Sequence, residues 1–142
     1  MTKFIGEDNF KHDNQKKIGV LICNLGTPDS YRAKDVGRFL KEFLSDGRVI
    51  EIPKIIWWFI LNLIILPIRS QKSAKLYRSV WTKDGSPLLV YSSKIVEKIK
   101  KTNHKNIEIE LAMRYGNPKM EDALLSLKNK NCQSLLVLPM FP

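Results

Sequence analysis

The seven residues Ile18–Asn24, IGVLICN, form an unbroken apolar run that closes on an asparagine. An amphipathic surface strand would alternate polar and apolar positions, and this run does not. It reads instead as a strand buried on both faces, the habit of parallel sheets covered by helices on either side. A turn follows at Gly26-Thr27-Pro28-Asp29. Val36, Phe39, Leu40, Phe43 and Leu44 then recur at helical spacing, and Asp46-Gly47 stops that helix. Gly85-Ser86-Pro87 predicts the start of a second helix reaching about Thr102, with Ser86 as N-cap and Leu88, Ser92, Ile95, Val96 and Ile99 inward. Ile107, Ile109, Leu111 and Met113 alternate with Glu108, Glu110 and Ala112, a strand with one more polar face. Asn117-Pro118 reads as another cap-plus-proline helix start, before the stripe Met120, Ala123, Leu124 and Leu127. Ser134–Leu138 is a last strand, ending at Pro139.

Strands separated by helices define an α/β class, a Rossmann-like layered domain around a central parallel sheet. Ligands in such sheets bind beyond the carboxyl ends of the strands. Those ends are Asn24–Pro28, Arg114–Pro118 and Pro139–Pro142. The chain stops on the third, so a truncated product is expected. Residues 1–16 read as a polar leader without an apolar core, and residues 17–142 as the domain.

Ile55–Ile68, IIWWFILNLIILPI, is the second constraint. Its 14 residues fall short of the roughly 20 that a spanning helix requires. A core or cleft-lining wall is the favoured reading. The alternative is a segment lying on an interface, with Trp57, Trp58, Lys54 and Arg69 as anchors. Leu76, Tyr77, Val80 and Trp81 suggest a separate short helix beyond it.

Composition is globular, with 44% hydrophobic and 27% charged residues. The formal charge of +10 favours anionic partners, including phosphates, acidic lipids and carboxylated small molecules. Nucleic acid fits less well, because the aromatic residues lie in apolar runs with no stacking platform among arginines. Cys23 and Cys132 sit in apolar runs without metal-ligand spacing and read as buried thiols of a cytosolic protein. The loop NLGTPDS carries one glycine where a dinucleotide fingerprint needs three, and no P-loop or HExxH occurs. His12 and His104 lie in polar surroundings and read as surface residues. What remains is a set of polar residues, Arg69, Ser86, Arg114 and Tyr115, near an apolar wall. A flat, greasy, carboxylated ligand suits such pieces, although each residue could equally serve only as a helix anchor, a cap or a turn.

Six segments occur in an order that resembles the ferrochelatases: NLGTPDS, RFLKEFLSDGRVIEIP, the WW…LPIR stretch, SAKLYRSVWTKDGSPLL, MRYGNP and LLVLPMFP. The resemblance covers Ile18 to Pro142 and is closest to the first half of bacterial members. It implies a chelatase-like fold of two similar domains, with protoporphyrin IX in the cleft between them. Ferrous iron enters as a substrate rather than a cofactor, and protohaem is the product. The family's base is a histidine in a motif resembling SFHG, followed by a glutamate. Neither stretch is present, so no catalytic and no metal-ligating residue is expected in this chain, which should be inactive alone. By the same resemblance Leu25 touches the ring face and Arg69 meets a porphyrin carboxylate. Ser86 lies near another carboxylate, and Arg114 with Tyr115 faces the macrocycle on the side of metal entry. Ile55 to Leu66 matches a hydrophobic lip opening toward the membrane. This implies a cytoplasmic protein, peripheral at the inner membrane face. The rival reading is a non-catalytic porphyrin-binding or membrane-surface module.

Overall fold

In the computed structural model the run at Ile18 is the middle strand of a three-stranded parallel sheet. The structure describes residues 17–102 and 105–141, so the leader and His104 lie outside the described residues. Strand β1 (Lys17–Thr27) pairs with β2 (Ile107–Gly116) on one side and β3 (Cys132–Pro139) on the other. Position in the sheet explains the apolar run. Gly19 through Asn24 are buried, because both faces of β1 are covered and both edges are hydrogen-bonded. Val20, Ile22 and Ile109 pack on Val96 of α4 (Pro87–Lys101). Leu21, Cys23 and Ala112 pack on Ala123 and Leu127 of α5 (Met120–Asn129). Helices thus cover both faces of β1 and β2, the layered α/β arrangement that the strand pattern predicts, while the edge strand β3 leaves Leu135, Leu136, Val137 and Leu138 exposed.

Between β1 and α4 the chain forms α1 (Ala33–Ser45) and then one long helix. The long helix comprises α2 (Lys54–Phe59), a π-helical stretch Ile60–Ile65, and α3 (Leu66–Val80). Two predicted elements are therefore one, and Trp81 is its C-cap. Pro67 was expected near the end of the wall, yet the helix passes through it. Proline brings no N–H, so the ladder has to lose a bond in that turn. The widened turn just before it, where the Leu66 amide reaches back to Leu61, is where the register loosens.

The wall is also not core. Ile55 is 77% and Leu63 67% exposed, and Ile56, Trp58, Phe59, Ile64 and Ile68 are exposed as well. Leu61 is buried, and the Trp57 indole N–H donates to the Leu44 carbonyl at 2.6 Å, so one stripe alone docks on α1. A helix lying along a single neighbour buries one side, however apolar the other sides are.

Smaller corrections follow from the same packing. Leu88, Ile95 and Leu124 are exposed, because α4 and α5 each bury only a narrow stripe against the sheet, that of α4 lying on β1 and β2. Asn117-Pro118 does not open α5: Lys119 is the N-cap, the Asn117–Pro118 bond is cis, and the Asn117 amide donates to Asp29. Cys132 is only partly buried, since it begins the edge strand, whereas Cys23 is buried; both thiols are free. Burial pushes both thiols up from the ordinary value.

Candidate functional site

The carboxyl edge of the sheet is where β1 and β2 end side by side. The register pairs Asn24 with Met113 and Gly26 with Tyr115, which sets Leu25 alongside Arg114. This approach is close: a Cβ on Gly26 would lie 1.8 Å from the Tyr115 carbonyl oxygen, and Gly26 has φ of 113°. Only glycine supplies that conformation without a clash. Leu25 is left pointing out, exposed, with two buried polar neighbours in the strand, Asn24 before it and Thr27 two positions on.

Those neighbours tie the edge to α4. The Asn24 amide donates to Ser92 Oγ at 3.0 Å, and its own Oδ1 receives the Leu25 amide at 2.8 Å. Thr27 Oγ1 donates to Ser86 Oγ at 2.8 Å. Ser86 holds the N-cap position of α4, as its spacing predicts, but makes no side-chain bond to the helix amides. Its hydroxyl is turned to β1 instead. Sequence reading missed Asn24, Thr27 and Ser92 as members of this network. A buried asparagine ending an apolar strand was the one available signal.

Arg114 and Tyr115 end β2, and both meet a residue the sequence marked only as a helix stop. Arg114 Nη2 donates to Asp46 Oδ2 at 2.6 Å, and the Tyr115 hydroxyl donates to the same oxygen at 3.0 Å. Tyr115 is 7% exposed, set edge-on to Phe43 with ring centroids 5.1 Å apart. It therefore lies under the edge rather than projecting from it. Burial, then the Asp46 carboxylate, pushes its phenol up from the ordinary value. The Asp46 carboxyl is held below the usual range, first by the Arg48 amide and then by Tyr115, with Arg114 adding to both. Nothing in the sequence ties Asp46 to Arg114, 68 positions away.

Two open clefts of about 400 Å³ each flank the strand ends, and of the trio only Arg114 lines one of them. One runs past Thr27, Asp29, Arg38 and Asn117, where Arg38 donates to both Asp29 and Asp35 at 3.0 Å. The other runs past Glu42, Arg114, Lys119 and Glu121. Among the described residues no cluster of three His, Cys, Asp or Glu side chains could hold a metal ion.

Arg69 stands elsewhere, on α3. Its neighbour Ser70 faces α1, where a Cβ on Gly37 would come within 2.8 Å of the serine hydroxyl. Arg69 itself is exposed, and among the described residues it has no ion-pair or hydrogen-bonding partner. The structure thus gathers Leu25, Ser86, Arg114 and Tyr115 at one edge and leaves Arg69 as a separate cation on the helix that carries the apolar face.

A parallel sheet with helices on both faces of β1 and β2, buried polar ties and an Arg–Tyr pair at its carboxyl edge places this domain in the layered α/β class. The family model for ferrochelatase matches residues 17–142. The ferrochelatase of Alcanivorax borkumensis is 48% identical over 141 residues, 96% of this chain and 41% of that protein. That of Thioalkalivibrio sulfidiphilus is 46% identical over 144 residues, 99% of this chain and 39% of that protein. A Coxiella burnetii ferrochelatase is 48% identical over 129 residues, 91% of this chain and 36% of that protein. The chain belongs to the ferrochelatase family, and it spans about two-fifths of the length of these relatives.

Proposed function

We propose that residues 17–142 are the porphyrin-binding N-terminal domain of a ferrochelatase, which inserts ferrous iron into protoporphyrin IX to give protohaem in the cytoplasm. The observation that carries this reading is the Arg114–Tyr115 pair, fixed at the strand edge beside an exposed Leu25, in a chain of this family. In this reading Leu25 lies against the ring face, as an apolar side chain left in the open beside charged ones can. Arg69, a cation without a partner among the described residues, takes one porphyrin carboxylate through a charge-assisted bond. Ser86 lies near the other, and Arg114, with Tyr115 packed beneath the edge beside it, faces the macrocycle on the side from which iron comes.

Metal insertion releases two pyrrole protons, and a base has to take them. Tyr115 is poorly suited, because burial and the neighbouring carboxylate both favour its protonated form. The base therefore belongs to residues outside this set, and the chain binds porphyrin without turning it over. An anaerobic assay with ferrous iron and protoporphyrin IX, followed by porphyrin fluorescence, checks this; turnover above the protein-free rate would sink it. For binding, Arg69→Ala should weaken porphyrin affinity by about 1.5–3 kcal/mol in a fluorescence titration. An unchanged Kd would remove Arg69 from the site.

The exposed apolar side of the long helix favours a peripheral membrane contact as a second reading. By length and composition Lys54–Val80, 27 residues, could cross a membrane. Arg69, Lys72, Lys75 and Arg78 occupy its second half, so the apolar part suits a helix seated in an interface rather than one passing through it.

A further inference from the structure

Asp46 is held from three directions. It caps the end of α1, where its own amide reaches the Phe43 carbonyl at 3.4 Å. Its Oδ1 accepts the Arg48 amide at 2.9 Å, which fixes the plane of the group. Its Oδ2 is then aimed at β2 and receives both Arg114 and Tyr115. Consecutive residues of a strand send their side chains to opposite faces. Here one oxygen draws two consecutive side chains together, with the guanidinium 5.3 Å from the Tyr115 ring centroid.

The second consequence is electrostatic. A guanidinium is charged at every working pH. Standing alone at the rim of a site, it would repel a divalent cation on approach. Asp46 cancels that charge at 2.6 Å. Glu42, one helical turn earlier, accepts the Gly116 amide at 3.1 Å and lines the same cleft as Arg114, adding a second negative charge; Lys119 and Glu121, also on that cleft, offset each other. We propose that Asp46 is a positioning residue, which orients the Arg114–Tyr115 pair and neutralises Arg114 so that ferrous iron reaches the macrocycle without meeting a net positive charge. The inference rests on the reading of that pair as the macrocycle's neighbour on the metal's side.

The test uses a full-length enzyme, in which this chain is continued by the C-terminal remainder of the Alcanivorax relative. Asp46→Asn keeps the size of the group and removes its charge. It should raise the KM for ferrous iron about three- to tenfold, leave the porphyrin Kd within about twofold, and lose most of its effect between about 0.05 and 0.5 M salt. Asp46→Glu, which keeps the charge, should recover at least part of the loss. A role confined to stability would lower the melting temperature without this split between the two substrates or its salt dependence. An iron KM within about twofold of the parent in Asp46→Asn overturns the proposal if Arg114→Ala does alter the kinetics. If Arg114→Ala changes neither substrate's parameters, the reading of the pair fails and the proposal fails with it. Should Asp46→Asn not fold, Asp46→Ser, which also removes the charge and keeps an acceptor for the Arg48 amide, replaces it. An iron KM raised threefold or more, about 0.65 kcal/mol, then supports the proposal, and a smaller change overturns it.

Discussion

Thr27 at the end of β1 and Ser86 at the start of α4 are joined hydroxyl to hydroxyl at 2.8 Å, across 59 positions of sequence. Both are buried, so neither has water as an alternative partner. The contact sets where α4 begins relative to the strand end, and hence where Ser86 stands.

Thr27→Val removes the donor and leaves the Ser86 hydroxyl buried beside a methyl. The expected cost is about 1–3 kcal/mol of unfolding free energy, read from the midpoint of urea denaturation. The double variant T27V/S86A should recover part of it, because no polar group is then stranded. A double variant that is worse than the sum of the single changes would contradict the contact.

Gly26→Ala should be far more damaging than its one added methyl suggests. The new Cβ meets the Tyr115 backbone, which cannot swing aside as a side chain would, and φ of 113° strains any L residue. A loss of about 3 kcal/mol or more is expected, together with a red shift or broadening of Tyr115 signals as β2 moves away. Wild-type stability in this variant would mean that the two strands do not approach as described.

Glu110 supplies a pH-dependent increment. Burial pushes its carboxyl up, but Lys130 at 2.6 Å, Ser126 at 2.8 Å and Lys100 at 3.5 Å hold it below the ordinary value. A depressed folded-state value means that stability is present above the unfolded value, about 4.3, and lost as pH falls through the folded one. Thermal melts between about pH 6 and pH 3 should therefore show a smaller decline in Glu110→Gln than in the parent. Parallel curves would show that the three partners contribute nothing.

Trp57 and Trp58 adjoin in sequence and differ in environment: the first is tied to Leu44, and the second is exposed. With Trp81 and one of the pair replaced by Phe, the remaining tryptophan reports alone. Anionic vesicles should shift the emission of Trp58 to the blue and leave Trp57 nearly still. A shift of Trp57 alone would place the membrane on the other side of the helix.

How far the fold was legible follows from what each pattern encodes. The runs of β1 and β2 reported burial because residues in a covered sheet have the same surroundings whichever helices supply them. The continuation of the helix through Pro67, just after the π-helical stretch Ile60–Ile65, was not legible, since a proline reads locally as a stop and packing on α1 decides whether the helix resumes. Burial of Ile55–Ile68 was not legible either: an apolar side chain reports what it prefers, not whether another element arrives to cover it.

The sequence by itself determined the α/β class, the three strands and the family, because these depend on local periodicity and on motifs of adjacent residues; the turn expected at Gly26 is instead strand, since β1 stays paired with β2 through Thr27. Tertiary structure alone decided that Ser86 turns to Thr27, that Arg114 and Tyr115 share the carboxylate of Asp46, and that the wall faces outward. Each of those facts joins or separates groups some 60 or more positions apart, or concerns a surface with no neighbour. Hydrogen bonds and ion pairs act over about 3 Å, so their partners are defined only once the chain has brought distant segments together.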